Sequence, residues 1–90
     1  MTHNCVDSTV KHAHHSGRAV ESLHDATGSL SYTNSAGHVD ARTLHETANI
    51  VMQSSFAAVM STDAWIHNLE TGSQPERDNI YASNQGARLQ

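Results

Sequence analysis

From Asp40 to Thr71 the chain runs DARTLHETANIVMQSSFAAVMSTDAWIHNLET, with no proline and no glycine. Leu44, Ala48, Val51, Met52, Phe56, Val59, Met60, Ile66 and Leu69 recur in it at three- and four-residue steps, the period of one helical face. The spacing predicts one long amphipathic helix over 40–71. Asp40 is placed to cap its first turn, with Val39 before it to pack on Leu44, and Gly72 is suited to the left-handed turn past its end. Such a helix would be roughly 45 Å long and needs a partner of similar length.

The preceding residues offer one. Val6, Val10, Ala13, Gly17, Val20, Leu23 or His24, Thr27 and Leu30 again alternate steps of four and three, which predicts a helix over 8–30 opened by Asp7 or Ser8. Gly17 sits in its middle, either as a tolerated weak spot or as a bare backbone that lets the partner approach. Residues 31–39, with Tyr, Asn, Ser and Gly and no period, predict a turn short enough to force the helices antiparallel. Ser73 and Glu76 have capping-box spacing with Pro75 between them, so a short helix over 74–86 is expected to follow. The expected fold is therefore all-α: one helical-hairpin domain over 1–90 that dimerises into a four-helix bundle.

Composition supports a thin helical core, since hydrophobic residues are 37% of the 90 and aromatic residues 4%. Five Lys and Arg against nine Asp and Glu give a formal charge of −4, with no basic stripe to displace phosphate counterions, so nucleic acid is an unsuitable partner. Met1 to Thr9 has no apolar leader and no stretch is long and apolar enough to span a bilayer, which predicts neither membrane insertion nor a cleaved secretory signal. A hairpin with a single seam cannot bury every large apolar group, so Met52, Phe56, Met60 and Trp65 are expected to form a partner interface.

The candidate chemistry is sparse. Eight histidines are present; His12 and His15 share a helical face, and His3, Cys5 and His67 would meet at the open end of a hairpin. Neither group shows zinc-motif spacing, so no cofactor is expected, although both stay candidates for weak metal binding. Protonating all eight would carry the formal charge from −4 to +4, which makes association sensitive to acid. Cys5, the one cysteine, precludes an internal disulfide; in a loose terminus with no base beside it, it is not expected to be catalytic. With no nucleophile elbow, paired carboxylates or phosphate loop, the chain is expected not to be an enzyme.

In layout the chain resembles the small WXG-type helical hairpins exported by type VII secretion systems. Gly37 of Ser35-Ala36-Gly37 matches the turn glycine of that family, while Ser35 stands where the tryptophan belongs. Tyr81 matches the tyrosine of the family's C-terminal export signal, while Gln85 stands at its acidic position. The resemblance implies a secreted protein that pairs with a similar hairpin as a homodimer or heterodimer, with Ser35, Gly37, Tyr81 and Gln85 as recognition features. The alternatives are a cytoplasmic helical adaptor or regulator that works by dimerising, and a histidine-based metal-binding protein.

Overall fold

The computed structural model describes all residues from Met1 to Gln90 and is α/β, not all-α. After an irregular π-type turn, Thr2–Val6, come α1 (Asp7–His15), β1 (Glu21–Leu23), β2 (Tyr32–Asn34), β3 (Gly37–Val39), α2 (Ala41–Ser55), β4 (Ala58–Met60), α3 (Thr62–Thr71) and α4 (Ile80–Arg88). β1 and β4 pair in parallel, Glu21 opposite Ala58 and Leu23 opposite Met60, while β2 and β3 form a separate antiparallel hairpin. Parallel strands cannot be joined by a tight turn, so the chain between β1 and β4 makes a crossover that contains the hairpin and α2.

Each departure from the expected hairpin has a local cause. The helix expected over 8–30 stops at His15 because Gly17 adopts φ +84°, the left-handed conformation open to a residue without Cβ. The Gly17 amide then donates to the His14 carbonyl at 3.0 Å and the Arg18 amide to Ala13 at 3.0 Å, the bond pair of a Schellman stop. Neither account of Gly17 holds: it ends the helix, and apart from its chain neighbours no atom lies within 4 Å of where its Cβ would be.

The helix expected over 40–71 is two helices with a strand between them. Asp40 does cap α2, its Oδ1 accepting from the Thr43 amide at 2.7 Å, and Gly72 at φ +72° does end α3. The apolar run from Phe56 to Met60, however, fits a short buried strand as well as a helix. Ser61 decides the matter by capping a new helix, its Oγ accepting from the Ala64 amide at 3.1 Å. Residues 31–39 are not an unstructured turn but the β2–β3 hairpin, in which Asn34 Oδ1 accepts from the Ala36 amide at 2.9 Å to close the tip. The last helix opens at Asn79, not at Ser73, with Asn79 Oδ1 accepting from Ala82 at 2.8 Å.

The core is small. Val10, Met52 and Ala57 are buried together, with Val6, Val20, Phe56 and Val59 packed around them and Ala58 wholly buried in β4. Only 7 of 90 residues are buried, so each core contact carries a large share of the stability. The anticipated partner interface is largely this core. Met52 is fully buried, and Phe56 is covered by His14 and His15 edge-on at 5.4 and 6.0 Å and by the Lys11 ammonium at 5.2 Å. Met60 lies half-buried in β4 with its Sδ accepting from Asn68, and half-buried Trp65 donates from Nε1 to Glu21 at 2.9 Å, tying α3 to β1. The large apolar groups left exposed are others, among them Ile50, Leu69 and Tyr81.

Asp25 fastens the two halves. Its carboxylate, after β1, accepts from the Thr62 hydroxyl at 2.7 Å and the Thr62 amide at 3.0 Å, so it caps α3 from 37 residues away. The Thr62 hydroxyl and then its amide hold the Asp25 carboxyl below the ordinary carboxylate range. The amide of Thr43 does the same for Asp40, and the Ser83 hydroxyl for Asp78.

Two measurements check this packing. Met52→Ala leaves a cavity at a fully buried site and is expected to lower unfolding stability by about 2–5 kcal/mol in urea titration. A carboxyl whose native pKa is depressed stabilises the fold above its unfolded value, about 3.9, and loses that effect as pH falls through the native value. Wild type is therefore expected to exceed Asp25→Asn in stability at about pH 6 and to converge with it below about pH 4. A gap that persists unchanged into strong acid would contradict the cap.

Candidate active site

The N-terminal turn is ordered, and Cys5 is part of it. Asn4 has non-helical angles, φ −123° and ψ −105°, and the amides of Asn4 and Val6 both donate to the Met1 carbonyl, at 3.1 and 3.3 Å. This kink turns the chain into α1 and leaves the Cys5 side chain exposed just ahead of the helix. Cys5, Val6, Thr9 and Val10 form one wall of a mainly apolar groove of about 500 Å³, and Val20 to Leu23 form the facing wall.

Far-separated residues anchor the turn. Thr2 has no exposed surface; its amide donates to the Gly28 carbonyl at 2.8 Å, and its hydroxyl meets Thr27 Oγ1 at 2.9 Å, the Gly28 carbonyl at 3.0 Å and His45 Nδ1 at 2.8 Å. His3 is equally engaged, with Nδ1 3.0 Å from Ser29 Oγ, Nε2 2.9 Å from Tyr32 Oη, and its ring edge-on to Tyr32 at 5.3 Å. The turn is thereby fixed to the loop after β1, to the hairpin and to α2.

The groove borders the parallel pair. The Val20 carbonyl accepts from Ala58 at 2.9 Å and the His24 amide donates to Met60 at 3.0 Å, so by strand alternation Glu21 and Leu23 turn their main-chain groups to the edge away from β4. On β4 the corresponding outward amide, that of Val59, is taken by Gln53 Oε1 at 2.7 Å. The chain covers the β4 edge of its parallel pair with its own side chain, and on the β1 edge the Leu23 carbonyl accepts from the Ala26 amide at 3.1 Å.

The residues singled out by the sequence are dispersed. His12 and His15 are exposed at the end of α1, His15 against Phe56, and His67 is exposed on α3. His3 spends both ring nitrogens on Ser29 and Tyr32, so it is not free to join Cys5 and His67 around a metal. No three His, Cys, Asp or Glu side chains are grouped to hold a metal ion. Ser35 and Gly37 lie at the tip of the β2–β3 hairpin, and Tyr81 and Gln85 lie one turn apart on α4, Tyr81 being 75% exposed.

The pattern passed over Thr2, Thr27, His45 and Asn49, which organise the Cys5 turn. One signal was available: His45 and Asn49 stand four and three residues apart in step with Met52, so two polar residues share the buried stripe of α2.

A parallel strand pair crossed over by a helix, with an exposed thiol at a helix N-terminus in a groove beside the sheet, defines an α/β protein with a candidate nucleophile. The crystal structure of a protein from Burkholderia xenovorans LB400, provisionally assigned as an isochorismatase, is similar to it: 59% identity, a TM-score of 0.94 and 98% of this chain covered. This chain spans 42% of that protein's chain. No protein-family model matches the chain, and no curated protein does.

This likeness overturns the WXG-type assignment and, with it, secretion by a type VII system, because the shared fold is α/β and not a helical hairpin. Ser35, Gly37, Tyr81 and Gln85 consequently lose their place as turn motif and export signal. The dimerising-adaptor and non-enzyme readings are corrected as well. The first assumed an outward face of Met52, Phe56 and Trp65, which pack within the chain; the second assumed no concave surface and a loose Cys5, whereas the chain has a groove, an ordered thiol and a close likeness to a protein named for a hydrolase.

Proposed function

We propose that this chain forms the nucleophile-bearing part of a hydrolase and that Cys5 is the nucleophile. The observation that carries the reading is the placement of its one thiol: exposed, held on a kinked turn, and immediately before α1 in the groove beside the sheet. The N-terminal end of a helix carries the positive end of the aligned peptide dipoles, which favours negative charge there. Anchoring through Thr2 and His3 fixes the sulfur relative to the groove wall, and such fixed geometry is what nucleophilic catalysis requires.

Thiolates attack acyl carbons readily, so hydrolysis of an amide or ester through a thioester is the chemistry that suits this residue. In that sequence the sulfur bonds the carbonyl carbon and the amine or alcohol leaves with a proton. Water then breaks the carbon–sulfur bond, releasing the acid and the thiol. Isochorismate, named by the Burkholderia protein, is the comparison substrate.

The purified protein is to be assayed against small amides, small esters and isochorismate, before and after iodoacetamide treatment. Turnover of an acyl substrate is expected, with a loss of at least about 10²-fold on alkylation or in Cys5→Ser. Full turnover by either modified form would remove Cys5 from the mechanism. Activity confined to isochorismate would reject the acyl-substrate reading.

A further inference from the structure

Asn49 is 9% exposed, and its Oδ1 is buried with no hydrogen-bond partner, while its Nδ2 meets the His45 carbonyl at 3.0 Å and His45 Nε2 at 3.2 Å. Exchanging the amide's oxygen and nitrogen would set two acceptor oxygens against each other, so the carbonyl of His45 fixes the amide with its nitrogen inward. The second Nδ2 proton then points at His45 Nε2, which has to accept it. A neutral imidazole that accepts at Nε2 carries its proton on Nδ1, and that proton is donated to Thr2 Oγ1 at 2.8 Å. The Thr2 hydroxyl proton is left for Thr27 Oγ1 and the Gly28 carbonyl, which it meets at 2.9 and 3.0 Å. Asn49 to His45 to Thr2 is one directed chain, and the orphaned Oδ1 is what the protein gives up to set its direction.

We propose that His45 is a positioning residue for the nucleophile: as the Nδ1–H tautomer set by Asn49 it pins Thr2, three residues before Cys5, and a second proton on the ring releases the turn. The inference rests on the reading of Cys5 as nucleophile. It names the group that holds the site in register and makes that hold sensitive to acid. A doubly protonated imidazole is donor-only, so its Nε2–H faces the Asn49 amide with no acceptor. The other ionisable groups around His45 are His24 after β1, Glu46 and Arg42 on α2, which bond each other at 2.9 Å, and His3 on the turn, held by Ser29 and Tyr32. None of them is hydrogen-bonded to His45 Nε2, whose partner is the Asn49 amide nitrogen.

The test is the iodoacetamide rate at Cys5, followed by mass spectrometry from about pH 8 to 5.5, where histidine titrates, with thermal unfolding alongside. This rate reads the geometry of the turn whether or not Cys5 turns over substrate, so its failure is separable from failure of the hydrolase reading. His45→Leu, which removes the donor, is expected to change the rate at about pH 8 by roughly tenfold or more. His45→Asn, whose Nδ2–H can stand in for Nδ1–H, is expected to keep the wild-type rate at that pH and to lack the additional loss that wild type shows in acid. Asn49→Asp, which supplies an acceptor for Nε2–H so that the doubly protonated ring stays bonded on both sides and still holds Thr2, is expected to lack that acid loss. His45→Leu with the wild-type rate and pH profile overturns the proposal. Should His45→Leu not fold, equal acid profiles for wild type, His45→Asn and Asn49→Asp overturn it instead.

Discussion

Everything in this chain is arranged by the parallel pairing of residues 21–23 with 58–60. A parallel ladder demands a crossover, and the crossover here carries α2 onto the pair and the β2–β3 hairpin out to its side. That arrangement brings Met52 against Val10 and Ala57 to form the core, and His45 against Thr2 to anchor the N-terminal turn. Asp25 and Trp65 reinforce the pairing from opposite directions, one capping α3 from the end of β1 and the other reaching back from α3 to Glu21. Remove the ladder and the segments that hold Cys5 have no reason to meet.

The site depends on contacts across 25 to 43 residues, because Thr2 is tied to Thr27, Gly28 and His45. Such anchoring converts what looks like a polar terminus into a rigid support for a thiol. It costs an unpaired buried carbonyl oxygen on Asn49, and a buried acceptor without a partner is tolerated where its companion amine directs something else. The Burkholderia protein is named for an isochorismatase, and the reading of Cys5 as a nucleophile draws on the placement of that thiol in this chain.

Local punctuation was legible in the sequence and long-range pairing was not. Asp40 announces a helix start and Gly72 a helix end because capping acts within a few residues. Three-residue strands leave almost no alternation to detect, and the run from Phe56 to Met60 satisfies a helical period as well as a strand. Ser61, followed by Thr62 and Asp63, was the readable sign that a new helix starts there, and it lay hidden inside an apparently continuous apolar stripe. Gly17 falls in step with the apolar period of a helix interior, although glycine one residue past a run ending in basic side chains also fits a helix stop. The local pattern around Cys5 carries no trace of Thr2 meeting His45, the contact that orders its turn.

The central claim is that the sulfur of Cys5 bonds to substrate. Acid-quenching the protein during turnover of an amide or ester, followed by mass spectrometry of the tryptic peptide Met1–Lys11, tests it most directly. The account predicts that this peptide carries the mass of the acyl group and loses it on treatment with hydroxylamine, as a thioester does. Sustained turnover with the peptide unmodified, or with the added mass on another residue, would contradict it.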